Sequence, residues 1–75
     1  MNYNDFIEML GYGVEFRIYF QNDKYELSQN KVKNEIYFTT NEGRCYVFTS
    51  IPDFTRAKLF KGSNIIDVWE NLVII

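Results

Sequence analysis

Val14-Glu15-Phe16-Arg17-Ile18-Tyr19-Phe20 alternates strictly, with Val14, Phe16, Ile18 and Phe20 on one side of an extended chain and Glu15, Arg17 and Tyr19 on the other. A period of two is the pattern of a half-buried strand, one face on a core and one towards solvent. Wound into a helix, the same residues would scatter around its whole circumference. The chain must therefore build a sheet with one covered face, and each partner strand must obey the same alternation.

The next residues supply the partner. A two-residue turn at Asn22-Asp23 sets Phe20 opposite Tyr25 and Ile18 opposite Leu27. On the outer face Tyr19 then lies beside Glu26, and Arg17 beside Ser28. Residues 29–34 are polar and read as a loop carrying Lys31 and Lys33. Residues 36–40 and 44–49 form a second hairpin around Asn41-Glu42-Gly43, where Gly43 supplies the positive φ of a bulge. A three-residue loop pairs Thr39 with Cys45, Phe38 with Tyr46, Tyr37 with Val47 and Ile36 with Phe48. That register puts Ile36, Phe38, Tyr46 and Phe48 on the core face. A four-residue loop would instead turn Tyr37, Tyr46 and Phe48 outward as a base-stacking platform. The glycine position and the aromatic pairing favour the first.

Helices flank the strands. Asn2 and Asp5 make an N-terminal capping pattern ahead of Phe6, Ile7, Met9 and Leu10, and Gly11 and Gly13 end the segment. Ser50, Pro52 and Asp53 start another helix, with Phe54, Ala57 and Leu59 or Phe60 inward and Gly62 as its stop. Asn64 with Asp67 repeats the capping pattern before Ile65, Ile66, Trp69, Leu72 and Val73 at helical spacing. Residues 72–75 finish that helix or form a short strand; the pattern accommodates both. The expected fold class is two-layer α+β: an N-terminal helix, a four-stranded antiparallel meander, and one or two C-terminal helices on one face.

Seventy-five residues allow one domain, residues 1–75. A chain so short buries only about 60% of its unfolded surface. Seven Phe, six Tyr and one Trp offset this, because each ring buries a large area. The net charge of −2 gives no basic field for a phosphate backbone. A single cysteine, Cys45, cannot form an internal disulfide, and no apolar leader or membrane-spanning run is evident, so a cytoplasmic location is expected.

The chain has no histidine. That removes Ser–His and Cys–His nucleophile pairs, His-ligated metals and the commonest general base. No phosphate-cradling glycine loop or dinucleotide fingerprint is present. No cofactor, metal site or catalytic residue is therefore expected. Cys45 reads as a packing residue on a strand. Two surfaces remain. The outer sheet face carries Glu15, Arg17, Tyr19, Lys24, Glu26, Tyr37, Thr39 and Val47. Tyr19, Tyr37 and Val47 are candidate anchors of a protein-binding patch and Arg17 its rim, since Tyr and Arg are enriched at binding hot spots. The second is acidic: Asp5, Glu8, Asp67 and Glu70 gather into one patch if the terminal helices lie side by side.

Three segments, VEFRIYFQNDKYEL (residues 14–27), the hairpin after it and GSNIIDVWENL (residues 62–72), give the chain a familiar layout. It resembles the short single-domain proteins frequent in low-GC Gram-positive bacteria and their phages, families with no assigned activity to carry over. The opening MNYNDFIEML (residues 1–10) is similar to the first helix of a phage-encoded anti-CRISPR protein that blocks Cas9. That type is more acidic than this chain and transfers no interface residues. The resemblances imply a phage- or mobile-element-borne interaction protein. The expected function is non-catalytic docking on a larger cytosolic protein, as inhibitor or regulator. The alternative is single-stranded nucleic-acid binding through the exposed tyrosines with Lys24, Lys31 and Lys33. No membrane partner is expected, and the outer face or the edge strands leave room for a homodimer.

Overall fold

A computed structural model describes residues 1–75. Helix α1 (Tyr3–Gly11) leads into strands β1 (Phe16–Phe20), β2 (Asp23–Asn30), β3 (Glu35–Thr39) and β4 (Cys45–Phe48), followed by helix α2 (Ile51–Arg56). The chain closes with a 3-10 turn, Trp69–Asn71, and a fifth strand, β5 (Val73–Ile74). The strands form one open antiparallel sheet in the order β4-β3-β2-β1-β5. The α+β class is as expected; the sheet has five strands rather than four.

The alternation of β1 sets the core. Phe16, Ile18 and Phe20 are buried, and Val14 is half-buried just before the strand. From β2 and β3, Tyr25, Leu27, Ile36 and Phe38 join them on the same side. Helix α1 adds Phe6 and Leu10, α2 adds Phe54, and the segment after α2 adds Phe60 and Ile65. The rings interlock. Phe38 lies 5.0 Å from Tyr25 in a stacked pair and 5.3 Å from Phe60 edge-on, while Phe60 also meets Phe20 and Tyr25. Such offset and edge-on pairs suit the ring quadrupoles and add specificity to burial.

Both helix caps form as the sequence indicates. Asn2 Oδ1 accepts the Asp5 amide at 2.8 Å and Ser50 Oγ accepts that of Asp53 at 3.1 Å. The second hairpin also takes its expected register, Thr39 opposite Cys45 through Ile36 opposite Phe48. Gly43, at φ 86°, donates to the Thr40 carbonyl and closes the bulged loop.

Several expectations are corrected. The first hairpin turns at Gln21-Asn22, one residue earlier, so Phe20 faces Asp23, Ile18 faces Tyr25 and Phe16 faces Leu27. A shift of two in pairing leaves every side chain on its own face, so apolar patterning could not choose between the registers. The observed one sets Arg17 beside Glu26 rather than Ser28, and Tyr19 beside Lys24 rather than Glu26. Opposite charges directly across two strands favour it. It also lets Gln29 reach past β1, where its side-chain amide donates to the carbonyls of Leu10 (2.8 Å) and Val14 (3.3 Å). Residues 29 and 30 are therefore strand rather than loop, because Gln29 sits inward and satisfies the end of α1.

Helix α2 stops at Arg56 instead of running to Gly62. Phe54 and Phe60 are both fully buried, yet six residues along a helix would place them about 120° apart. An extended Ala57 and a bridge between Phe60 and Ser63 bring both rings to the core instead. Asn64 Oδ1 does accept the Asp67 amide at 3.0 Å, but the following residues form turns, not an α-helix. A helix so short nucleates poorly, and the exposed edge of β1 captures the chain as β5. Ile66 and Val73 consequently face solvent rather than the core. Tyr46, placed on the core side by its register, keeps 37% of its surface exposed, because β4 lies at the sheet margin.

Candidate functional site

The helices and the segment joining them to β5 cover one side of the sheet and leave the other bare. Each expected outer-face residue projects there. Glu15, Arg17, Tyr19, Lys24, Glu26 and Val47 are exposed, and Tyr37 and Thr39 are half-buried among their neighbours. Cys45 is also exposed on this side, so its expected packing role is not taken up.

The three candidate anchors do not form one patch. Val47 is directly opposite Tyr37, and that pair makes a first apolar lobe. Tyr19 is opposite Val73 on β5, with Ile75 just beyond, and these make a second. Strand and residue spacings put Tyr19 and Tyr37 roughly 16 Å apart. Between the lobes runs a charged band in which Arg17 faces Glu26, and Lys24 pairs with Glu26 at 3.7 Å. A shallow depression, rimmed by Glu15, Arg17, Glu26, Ser28 and Ile75, lies across that band.

Val47, Val73 and Ile75 are 52%, 58% and 73% exposed. Val73 and Ile75 were missed in the sequence because their short apolar run fits a helix end as well as a strand. Only pairing with β1 puts them on the outer face, where the Arg17 amide donates to the Ile75 carbonyl at 3.1 Å and the Ile75 amide returns a 2.9 Å bond. Tyr37 is held in place locally. Its hydroxyl donates to Glu35 Oε1 at 2.6 Å, which ties down the phenol proton and pushes its pKa above the usual tyrosine value.

The acidic candidates lie on the other layer. Asp5, Glu8, Asp67 and Glu70 are all exposed, and edge-on contact of Tyr3 with Trp69 at 5.3 Å brings α1 beside the turn bearing Glu70. The second terminal helix that would align all four is replaced by turns. Among the lysines, Lys31 Nζ donates to the Gly11 carbonyl at 3.0 Å, at the negative end of α1. Lys24 is the one lysine of the three on the outer face; Lys33 sits in the β2–β3 loop.

No helix is long and apolar enough to cross a membrane. Fold and surface together define a small two-layer α+β domain with one uncovered sheet face. No family model, curated protein or solved structure matches the chain.

Proposed function

We propose that this chain is a non-catalytic interaction protein that docks on a larger cytosolic protein through the bare face of its sheet, inhibiting or regulating it by occlusion. One observation carries the reading: exposed Val47, Val73 and Ile75 join Tyr37 and Tyr19 as two apolar lobes on an otherwise polar face. Apolar and aromatic anchors beside a mixed-charge band match the anatomy of protein interfaces, where anchors give affinity and charge gives orientation. Arg17 faces Glu26 in the band and stands beside Ile75 at the rim of the second lobe. The concavity here is open and shallow, whereas a catalytic pocket encloses most of its substrate.

The test is capture from native host lysate with tagged protein, nuclease treatment and competition by untagged protein. One protein near equal stoichiometry, competed away and insensitive to nuclease, is the expected result. Tyr37→Ala is expected to weaken that capture about 30-fold, the effect of losing a hot spot of about 2 kcal/mol, while the circular dichroism spectrum stays unchanged. Val73→Asp should act similarly on the second lobe. Capture abolished by nuclease would replace this reading with single-stranded nucleic-acid binding. Full capture by both variants would sink the face as the docking surface.

A further inference from the structure

The margin of the sheet at β4 carries a second recognition element, made of backbone rather than side chains. The Thr40 amide donates to the Arg44 carbonyl at 2.8 Å, which fixes the phase of the β3–β4 ladder. Antiparallel pairs alternate, so Arg44, Tyr46 and Phe48 direct their N–H and C=O groups towards β3. Cys45 and Val47 direct theirs away from the sheet, into solvent. Natural sheets blunt such margins with lysine, proline, a bulge or a covering loop. Cys45-Tyr46-Val47-Phe48 has none of these within the strand, and its first three residues are exposed. The opposite margin, β5, is protected by being only two residues long.

We propose that β4 pairs with β4 of a second copy of this chain, joining two five-stranded sheets into one across a two-fold axis at Tyr46. The strand is self-complementary in that register. Cys45 of each copy lies opposite Val47 of the other, and the four outward N–H and four outward C=O groups of the two strands exchange four hydrogen bonds. Tyr46 meets its own counterpart on the axis as a non-hydrogen-bonded pair, with Cα atoms about 4.5 Å apart. Tyr46 is 37% exposed and its hydroxyl accepts from the Arg44 guanidinium at 3.4 Å, so ring and guanidinium stand together at this margin.

Charge points to the same occupant. Arg44 forms no ion pair within the chain. The two-fold register sets it opposite Phe48 of the second copy, on the side where Phe48 contacts Phe54 of α2. Asp53, exposed and immediately before Phe54, has only a 4.0 Å contact with the exposed Arg56 to exchange for the incoming guanidinium, which itself leaves a 3.4 Å bond to the Tyr46 hydroxyl. The symmetry makes this match twice. A foreign strand would need the same spacing of outward groups and a carboxylate in the same place. The interface is small, below the roughly 1,200 Å² of stable complexes, so the dimer is weak and its population follows concentration.

Analytical ultracentrifugation over about a hundredfold range of concentration tests this. The wild-type chain is expected to pass from monomer to dimer and stop there. Tyr46→Lys places like charges face to face on the axis and is expected to weaken the dimer at least tenfold; Tyr46→Glu should do the same. An equimolar mixture of the two variants should recover the dimer, because only this register sets position 46 against itself. Cys45→Pro, which removes an outward N–H with no partner in the chain, is the second route should the charged variants not fold. Tyr37→Ala alters the docking face and should leave the dimer unchanged, which separates failure of one proposal from failure of the other. A wild-type chain that stays monomeric, a Tyr46→Lys variant that dimerises like wild type, or open-ended oligomers from β4 pairing with β5 would each overturn the proposal.

Discussion

Gly43 and Gly11 show how far one residue's backbone can be read in advance. Both have open space where a Cβ would stand, so packing plays no part in either. Gly43 sits at φ 86°, and an alanine there carries the left-handed penalty of about 1–2 kcal/mol. Gly11 lies within the last turn of α1, where alanine lowers the entropy of the unfolded chain and should stabilise by about 0.5–1 kcal/mol. Urea midpoints for Gly43→Ala and Gly11→Ala are therefore expected to move in opposite directions. Core residues behave differently. Phe38 is fully buried among Tyr25, Phe54 and Phe60, and Phe38→Ala should cost about 3–5 kcal/mol. Domains of this length hold only about 4–11 kcal/mol in total, so the variant should lose a large share of its stability and unfold at a much lower urea concentration. The glycine in the loop and the inward Phe were both legible from alternation and turn chemistry. Tyr46 was not, because its exposure depends on what lies beyond its strand rather than on its own place within it.

At the scale of elements, the short pieces connect the layers. Gln29 joins β2 to the end of α1 through its two carbonyl contacts. Gln29→Ala leaves those carbonyls without this donor and should cost about 1–2 kcal/mol in urea denaturation, more than a surface glutamine would. β5 contributes little area, but it gives the outward groups of β1 their partners. Removing residues 73–75 should make the Arg17 amide exchange with solvent at loop-like rates while amides of β2 and β3 stay protected. Equal protection of Arg17 in the truncated and full chains would show that β5 is not what shields this margin. Neither element was legible. Gln29 looks like loop until the end of α1 is brought beside it, and Leu72-Val73-Ile74-Ile75 suits a helix or a strand equally until an unpaired neighbour exists.

Across the whole molecule, the tyrosines link stability to alkaline pH. Burial raises the pKa of Tyr3, against an opposing hydrogen bond from Thr55. Burial raises that of Tyr25 too, reinforced by the charges of Asp23 and Glu42. The Glu35 hydrogen bond raises that of Tyr37. A raised folded-state pKa means the fold favours the neutral phenol. The associated stability is fully present below the unfolded tyrosine value near 10 and is lost as pH climbs through the higher folded values. The urea midpoint is accordingly expected to fall between pH ~9 and ~11, with phenolate absorbance rising across the same transition. Tyr37→Phe should remove its share of that fall. A midpoint indifferent to pH in this window would contradict the assignment.

The amino-acid pattern was sufficient for most of what depends on near neighbours. The period of two fixed which faces of β1 and β2 are inward, the Asn2 and Ser50 caps fixed where helices begin, and the position of Gly43 fixed the register of the second hairpin. Those features rest on local sterics and hydrogen bonding, which a few adjacent residues specify. Three others waited on the folded chain: the first hairpin's register, the early end of α2, and the passage of residues 73–75 into the sheet. Each balances local alternatives of nearly equal energy, and distant partners tip it. Glu26 and the carbonyls of Leu10 and Val14 do so for the hairpin, the buried positions of both Phe54 and Phe60 for the helix, and the unpaired groups of β1 for the last strand. The bare face follows from the same contacts, since the sheet's second apolar lobe exists only once β5 has paired.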